Sequence, residues 1–207
     1  MWPAAYLLAL DRLSADSMDH SSTPRPLPAA YSRVTNPGRF RHLQDVAQQV
    51  LAELEAEFVV TRREGPGLNP GIEQRNLSRP SVELVPADPN AASIIVAFTD
   101  FPGIVVRCGH RVVEAFPACG CDACEEDPNA EEARFRRLIR GVTLGWLKEF
   151  SSVAPSGQQT YRHELRHPAR GGGSSAAAWF HYSEANSPAV RTTVWKRWPR
   201  RQLDAAV

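Results

Sequence analysis

Three cysteines fall within six residues, Cys119-Gly120-Cys121-Asp122-Ala123-Cys124, in a chain that has four cysteines in all. The thiolate is the form of cysteine that binds a metal, and a divalent cation gathers several of them. Asp122, Glu125, Glu126 and Asp127 surround the cluster. Their charge would attract a cation, and it would raise the thiol pKa when no cation is present, because like charges disfavour ionisation. That weighs against a thioredoxin-like use of Cys121-Asp-Ala-Cys124, since redox cysteines are activated by positive surroundings or a helix N-terminus. A helix start lies nearby, but four carboxylates oppose it. Cys119, Cys121 and Cys124 are therefore candidate metal ligands ahead of redox groups, and zinc is the one cofactor that this donor set suggests. Reduced cysteines packing a tight turn account for the same letters at least as well, Cys being small and readily buried.

Cys108 is not expected to join them. It precedes the Gly109-His110 turn, and the strand that follows runs away at about 3.3 Å per residue, which puts Cys119 roughly 20 Å off. A fourth ligand would have to be Asp122 or a C-terminal histidine. Structural zinc sites usually pair two Cys-x-x-Cys units, and only one is present.

His163-Glu164-Leu165-Arg166-His167 fits H-E-x-x-H letter for letter. That chemistry needs both histidines on one face of a helix, with the glutamate beside the metal-bound water. Pro168 follows directly and disfavours the α region at His167, and no apolar stripe surrounds the motif. Tyr161, His163, Leu165 and His167 instead share one face of an expected strand, which sends Glu164 to the other. Glu184 as a third ligand has no independent support. Near the C-terminus, Arg191, Lys196, Arg197, Arg200 and Arg201 flank Trp195 and Trp198 without an acid. Such interleaving suits single-stranded nucleic acid. A terminal strand with inward tryptophans explains it more simply, and the six acids of Asp122–Glu132 offer the charges an internal partner.

The elements that must position these groups form an α+β pattern. Asn36-Pro37 reads as an N-cap with proline at the first helical position. Phe40, Leu43, Ala47, Val50, Leu51 and Leu54 then recur at helical steps to about Glu57. Phe58–Thr61 is a short β-branched run, and the glycines and prolines of Arg63–Arg79 argue against regular structure there. Val82–Val85, Ser93–Thr99, Ile104–Arg107 and Arg111–Phe116 read as strands of an antiparallel meander, with turns at Pro102-Gly103 and Gly109-His110. A second helix opens after Asp127-Pro128, with Phe135, Leu138, Ile139, Val142, Trp146 and Phe150 as its inner face. Thr160–Arg166, Ala176–Tyr182 and Val190–Trp195 are further strands. The expected architecture is a two-layer domain, an antiparallel meander sheet packed by two amphipathic helices.

The expected organisation is a disordered N-terminal tail over 1–28, one domain over 29–201 and a short C-terminal tail over 202–207. The Ser/Asp/Pro-rich stretch Ser14–Pro28 supports the first boundary, and Met18 within it is an alternative start. The 207 residues are 43% apolar with a net charge of +1, enough for a core and no pointer to nucleic acid or membrane. Met1–Leu13 lacks a basic n-region and a small-residue cleavage site, so a signal peptide is not expected, no stretch is long enough to span a bilayer, and the expected location is cytoplasmic.

Ala30-Tyr31-Ser32-Arg33-Val34-Thr35-Asn36-Pro37 with Arg39-Phe40, then Phe98-Thr99 with Phe101-Pro102-Gly103 and Val106-Arg107, then Phe116-Pro117 with Cys119-Gly120-Cys121-Asp122-Ala123-Cys124-Glu125, resemble an uncharacterised domain-of-unknown-function family of actinobacterial proteins. The ending Trp195-x-x-Trp198-Pro199-Arg200-Arg201 is similar to that family's close. The resemblance implies one cytoplasmic domain without an assigned activity, and it transfers no catalytic residue. The favoured function is a non-enzymatic interaction or accessory domain with an unidentified protein partner and the cysteine turn as a structural or metal-binding element. The alternatives are an enzyme using Cys121/Cys124 or residues 163–167, and nucleic-acid binding through the basic C-terminus, which the net charge disfavours.

Overall fold

A computed structural model describes residues 31, 33–65, 68, 76–153, 158–166, 173–181 and 191–202. The expected tail over 1–28, the residues 203–207, His167 and Glu184 lie outside them. The described chain runs through a short 3-10 turn, Pro37–Phe40, then α1 (His42–Glu57), β1 (Val60–Gly65), β2 (Leu77–Pro86), β3 (Ile94–Thr99), β4 (Gly103–Cys108), β5 (Val112–Phe116), α2 (Pro128–Thr143), β6 (Leu147–Val153), β7 (Gln158–Arg166), β8 (Gly173–His181) and β9 (Arg191–Val194). The first five strands form an antiparallel meander in sequence order, and the last four form a second antiparallel sheet in the order β8-β7-β6-β9. The class is α+β, with two amphipathic helices on the meander, as expected.

The helical stripe of α1 is buried as its spacing demands: Leu43, Ala47, Val50, Leu51 and Leu54 face the core. Asn36 does not cap this helix. Its side chain makes no capping bond, and Pro37 opens the 3-10 turn that delivers Phe40 to the interior. Proline fixes φ and lacks an N–H, so it suits either kind of helical start. Gln44 is buried as well. Its amide donates to the carbonyls of Thr99 and Gly103 at 2.8 and 3.1 Å, fixing α1 to the β3–β4 turn.

Two expectations about β-structure need correction. Residues 63–65 and 77–79 are paired strand rather than loop, with Glu64 opposite Val82. The outer strand there is largely exposed, and besides its backbone pairing it is held by Val60 against the core and by Arg62 and Arg63 on Glu55 and Glu83 at 2.8 and 3.6 Å. Trp146 and Phe150 do not continue α2. The helix ends at Thr143, Gly145 turns the chain at φ 73°, and Phe150 belongs to β6. Gly141, near the end of α2, allows close approach to β7: a Cβ there would lie 2.7 Å from Leu165.

One hydrophobic cluster joins both helices and both sheets, from Phe40 and Leu43 to Leu147, Tyr161, Leu165 and Trp198. Within it sits a buried carboxylate. Glu149, 3% exposed, accepts from the backbone N–H groups of His110 and Arg111 at 3.0 and 2.9 Å, from Trp195 Nε1 at 2.5 Å and from the Tyr161 hydroxyl. Four donors on one carboxylate meet the requirement that a buried charge be fully hydrogen-bonded. They also tie the β4–β5 turn of the first sheet to the second.

Residues 195–201 fasten several elements. Val59 N donates to Pro199 O at 2.8 Å, Arg201 N to Glu57 O at 2.9 Å, Lys196 N to Asn90 O at 2.9 Å and Trp198 N to Thr143 O at 2.9 Å. The Trp198 indole donates to Ala92 O at 2.9 Å and packs edge-on against Phe58, with ring centroids 5.6 Å apart.

Candidate metal centre

The cysteine loop leaves the end of β5 through a cis Phe116–Pro117 peptide and enters α2 at Asp127, whose side chain caps the helix by accepting from Asn129 N at 3.2 Å. Strand and helix thus hold both ends of a ten-residue loop, 117–126. Gly120 bends it at φ 77°, a left-handed conformation that glycine adopts at no steric cost, and a Cβ there would lie 2.7 Å from the Phe101 ring. Glu125, also left-handed at φ 46°, costs about 1–2 kcal/mol in a non-glycine residue, so the surroundings must hold it there.

Inside the loop the sulfurs of Cys119, Cys121 and Cys124 all lie within 4.8 Å of one another, and those of Cys121 and Cys124 are 3.4 Å apart. All four cysteines of the chain are free. Zinc–thiolate bonds of about 2.3 Å in a tetrahedron set the sulfurs about 3.8 Å apart. The observed spread brackets that edge, so closing on an ion needs shifts of roughly 1 Å or less. Three close cysteines could therefore hold a metal ion. Cys108 stands apart, fully buried at the other end of the β4–β5 hairpin, where it pairs with Val112 while Ile104 pairs with Phe116 beside the loop.

The three thiols are not equivalent. Burial pushes Cys121 up, but hydrogen bonds from the Cys119 and Cys124 thiols and from the backbone N–H groups of Cys124 and Ala123 outweigh it and hold its pKa below the ordinary value. Cys124 is pushed up to about 12, by burial first and then by the neighbouring sulfurs. Cys119 is raised too, chiefly by burial. Cys121, 3% exposed at the base of the loop, is thus the first to ionise, and the other two act as its donors. A cation bound by all three would favour every one of the thiolates.

The acidic neighbours serve other ends than expected. Asp122 accepts from Thr35 N at 2.9 Å, Thr35 Oγ1 at 3.1 Å and Arg33 Nε at 3.1 Å, and its own N–H donates to Arg33 O at 2.9 Å. These bonds hold its pKa below the ordinary value, Thr35 N foremost. Glu126 accepts from Cys119 N at 3.3 and 3.2 Å and from Gly120 N at 2.6 Å. Asp122, Glu126 and Asp127 therefore organise the loop and its N-terminal partner. Among the described residues no carboxylate or imidazole lies close enough to all three sulfurs to be a fourth ligand, Asp122 included.

The remaining candidates separate cleanly. Residues 160–166 are extended within β7, Tyr161, His163 and Leu165 are buried, and Glu164 lies on the other face, paired with Arg162 and Arg166 at 3.0 and 3.3 Å. Burial lowers the pKa of His163. A helical H-E-x-x-H site cannot form there. Trp195 and Trp198 are 9% and 1% exposed, so neither offers a stacking face. Arg200 pairs with Glu57 at 2.7 Å, not with the acidic turn. The Glu149 node escaped sequence reasoning, since a lone glutamate between Lys148 and Phe150 carries no signal of burial.

No helix among the described residues is long and apolar enough to cross a membrane. A family model described as a family of unknown function, DUF6226, matches residues 16–202. No curated protein and no solved structure matches the chain.

Proposed function

The chain belongs to the DUF6226 family, whose function is unknown, and from that premise we propose that it is a non-enzymatic accessory domain in which Cys119, Cys121 and Cys124 bind zinc. The convergence of three sulfurs within 4.8 Å carries this reading. Thiolates select soft or borderline ions, and zinc accepts them without redox change. The alternative of thiol chemistry loses support at Cys124, which holds its proton up to about 12, while Cys121, the first of the three to ionise, is buried away from a reaction partner. A site of this kind needs thiols kept reduced, which suits the cytoplasm. Asp122, between two ligands, clamps Arg33 and Thr35, so zinc would stiffen the loop and the segment before α1 together. Tyr31 and Val34, exposed on that segment, suit contact with a protein partner.

The test is metal analysis and competitive zinc titration of reduced protein, in parallel with a variant carrying Cys119→Ser, Cys121→Ser and Cys124→Ser. One zinc per chain is expected, lost in the triple variant and kept in Cys108→Ser. Free zinc at a hundred times its dissociation constant should stabilise the fold by about 2.7 kcal/mol. Equal zinc content in wild type and triple variant overturns the reading.

A further inference from the structure

Resting on that reading of the three cysteines, the geometry speaks to how the ion is held. Among the described residues the group able to close on an ion consists of three sulfurs alone. Of the carboxylates beside the cluster, Asp122 is engaged by Arg33 and Thr35, Glu126 by the loop's own N–H groups and Asp127 by the helix it caps, and Glu125 does not lie within 4.8 Å of all three sulfurs. Cys119 and Cys124 are exposed, while Cys121 anchors the site from below. An open basin of about 400 Å³, lined by Arg33, Thr35, Arg39, Asp122, Glu125 and Glu126, lies against the same loop beside the exposed Cys119 and Cys124 without being lined by either. Structural zinc sites are closed by four protein ligands, whereas an open position accepts an outside one.

We propose that the fourth coordination position belongs to a thiol of another molecule, and that the site passes its ion on by thiol exchange. Thiolate is the fitting class because the ion already prefers sulfur. The incoming thiol releases its proton and its sulfur forms the fourth metal–sulfur bond. The bond to one of the two exposed cysteines then breaks, and that sulfur takes up a proton. Repetition moves the ion to the acceptor. The three cysteines regain the protons that the acceptor thiols lost, with no change of oxidation state.

The full chain loaded with cobalt(II) under anaerobic conditions reports the ligand number. Added 2-mercaptoethanol should raise the sulfur-to-cobalt charge-transfer absorption saturably by about one third, as three thiolates become four. With zinc-loaded protein, release to a dithiol acceptor should proceed at a rate proportional to the dithiol concentration. A cobalt spectrum indifferent to the thiol, or zinc release at a rate independent of the dithiol, overturns the proposal while leaving metal binding intact. Failure to bind cobalt or zinc at all overturns it together with the reading on which it rests.

Discussion

Replacing Glu149 by Gln tests the polar node between the two sheets. The carboxylate accepts four hydrogen bonds, from His110 N, Arg111 N, Trp195 Nε1 and the Tyr161 hydroxyl, in a residue only 3% exposed. An amide keeps one acceptor oxygen, best aimed at His110 N and Trp195 Nε1, and turns its NH₂ toward Arg111 N and the Tyr161 hydroxyl. The hydroxyl can rotate to accept, so one contact, with Arg111 N, becomes donor against donor and the other three lose the charge. Each hydrogen bond to a charged group contributes about 1.5–3 kcal/mol against about 1 kcal/mol for a neutral one, so losing one bond and weakening three costs roughly 3 kcal/mol or more. Neutralising the side chain also removes the cost of burying a charge, which favours the lower end. A loss of about 3 kcal/mol is a large part of the 5–15 kcal/mol typical of a folded protein, and it should lower the melting temperature by on the order of 10 °C. Urea unfolding followed by tryptophan fluorescence measures it, with Trp195 reporting from within the node. Tyr161→Phe removes one donor and leaves three bonds, so it should cost about 1–2 kcal/mol. A Glu149→Gln protein within about 0.5 kcal/mol of wild type would refute the reasoning, since the node would then be no dearer than a surface contact.

His163 has its folded pKa lowered by burial, from an ordinary value of 6.5. The unfolded chain therefore takes up a proton first as pH falls below that value, and the stability His163 contributes is present above 6.5 and lost toward its folded pKa. His163→Gln should flatten the fall in urea midpoint between about pH 7 and pH 5.5, and an unchanged slope would assign the effect to other groups. Gly120→Ala places a methyl 2.7 Å from the Phe101 ring at a left-handed φ of 77°. The strain of about 1–2 kcal/mol must be relieved by moving Cys119 or Cys121, so zinc affinity should drop roughly tenfold. Isothermal titration with zinc reads this directly, and wild-type affinity would show that the loop adapts without moving its sulfurs.

The elements that announced themselves did so through apolar spacing. Leu43 to Leu54 on α1, Phe135 to Val142 on α2 and the runs of β3 and β4 bury what their periods require. The convergence of Cys119, Cys121 and Cys124 was legible because short spacing between two fixed ends leaves little choice. What stayed hidden lacked that code. In β6 the inward positions are Leu147 and a glutamate, while Trp146 and Phe150, four apart, mimic another turn of helix past Gly145. The ends of β1 and β2 are held by backbone pairing under exposed arginines and glutamates, a bond that side-chain patterns do not record. The acidic residues of the cysteine loop look like a cation trap when counted by charge. Their tasks as cap and clamp depend on N–H groups that only the folded backbone brings within reach, as Asp122 shows by binding a segment nearly ninety positions earlier.

The strap of residues 195–201 has a consequence for biogenesis. Each element that it fastens, the exit of α1, the β2–β3 connection, the end of α2 and β6, leaves the ribosome before it does. Until then the ring of Phe58 and the carbonyls of Ala92 and Thr143 wait without the indole and amide of Trp198. Pairings so remote in sequence form slowly, and a nascent chain with an unfilled tryptophan socket exposes apolar surface to aggregation for that interval. Translation that stops short of Trp198 would leave a protein with both sheets encoded and no bolt across them, a substrate for quality control rather than a milder version of the fold.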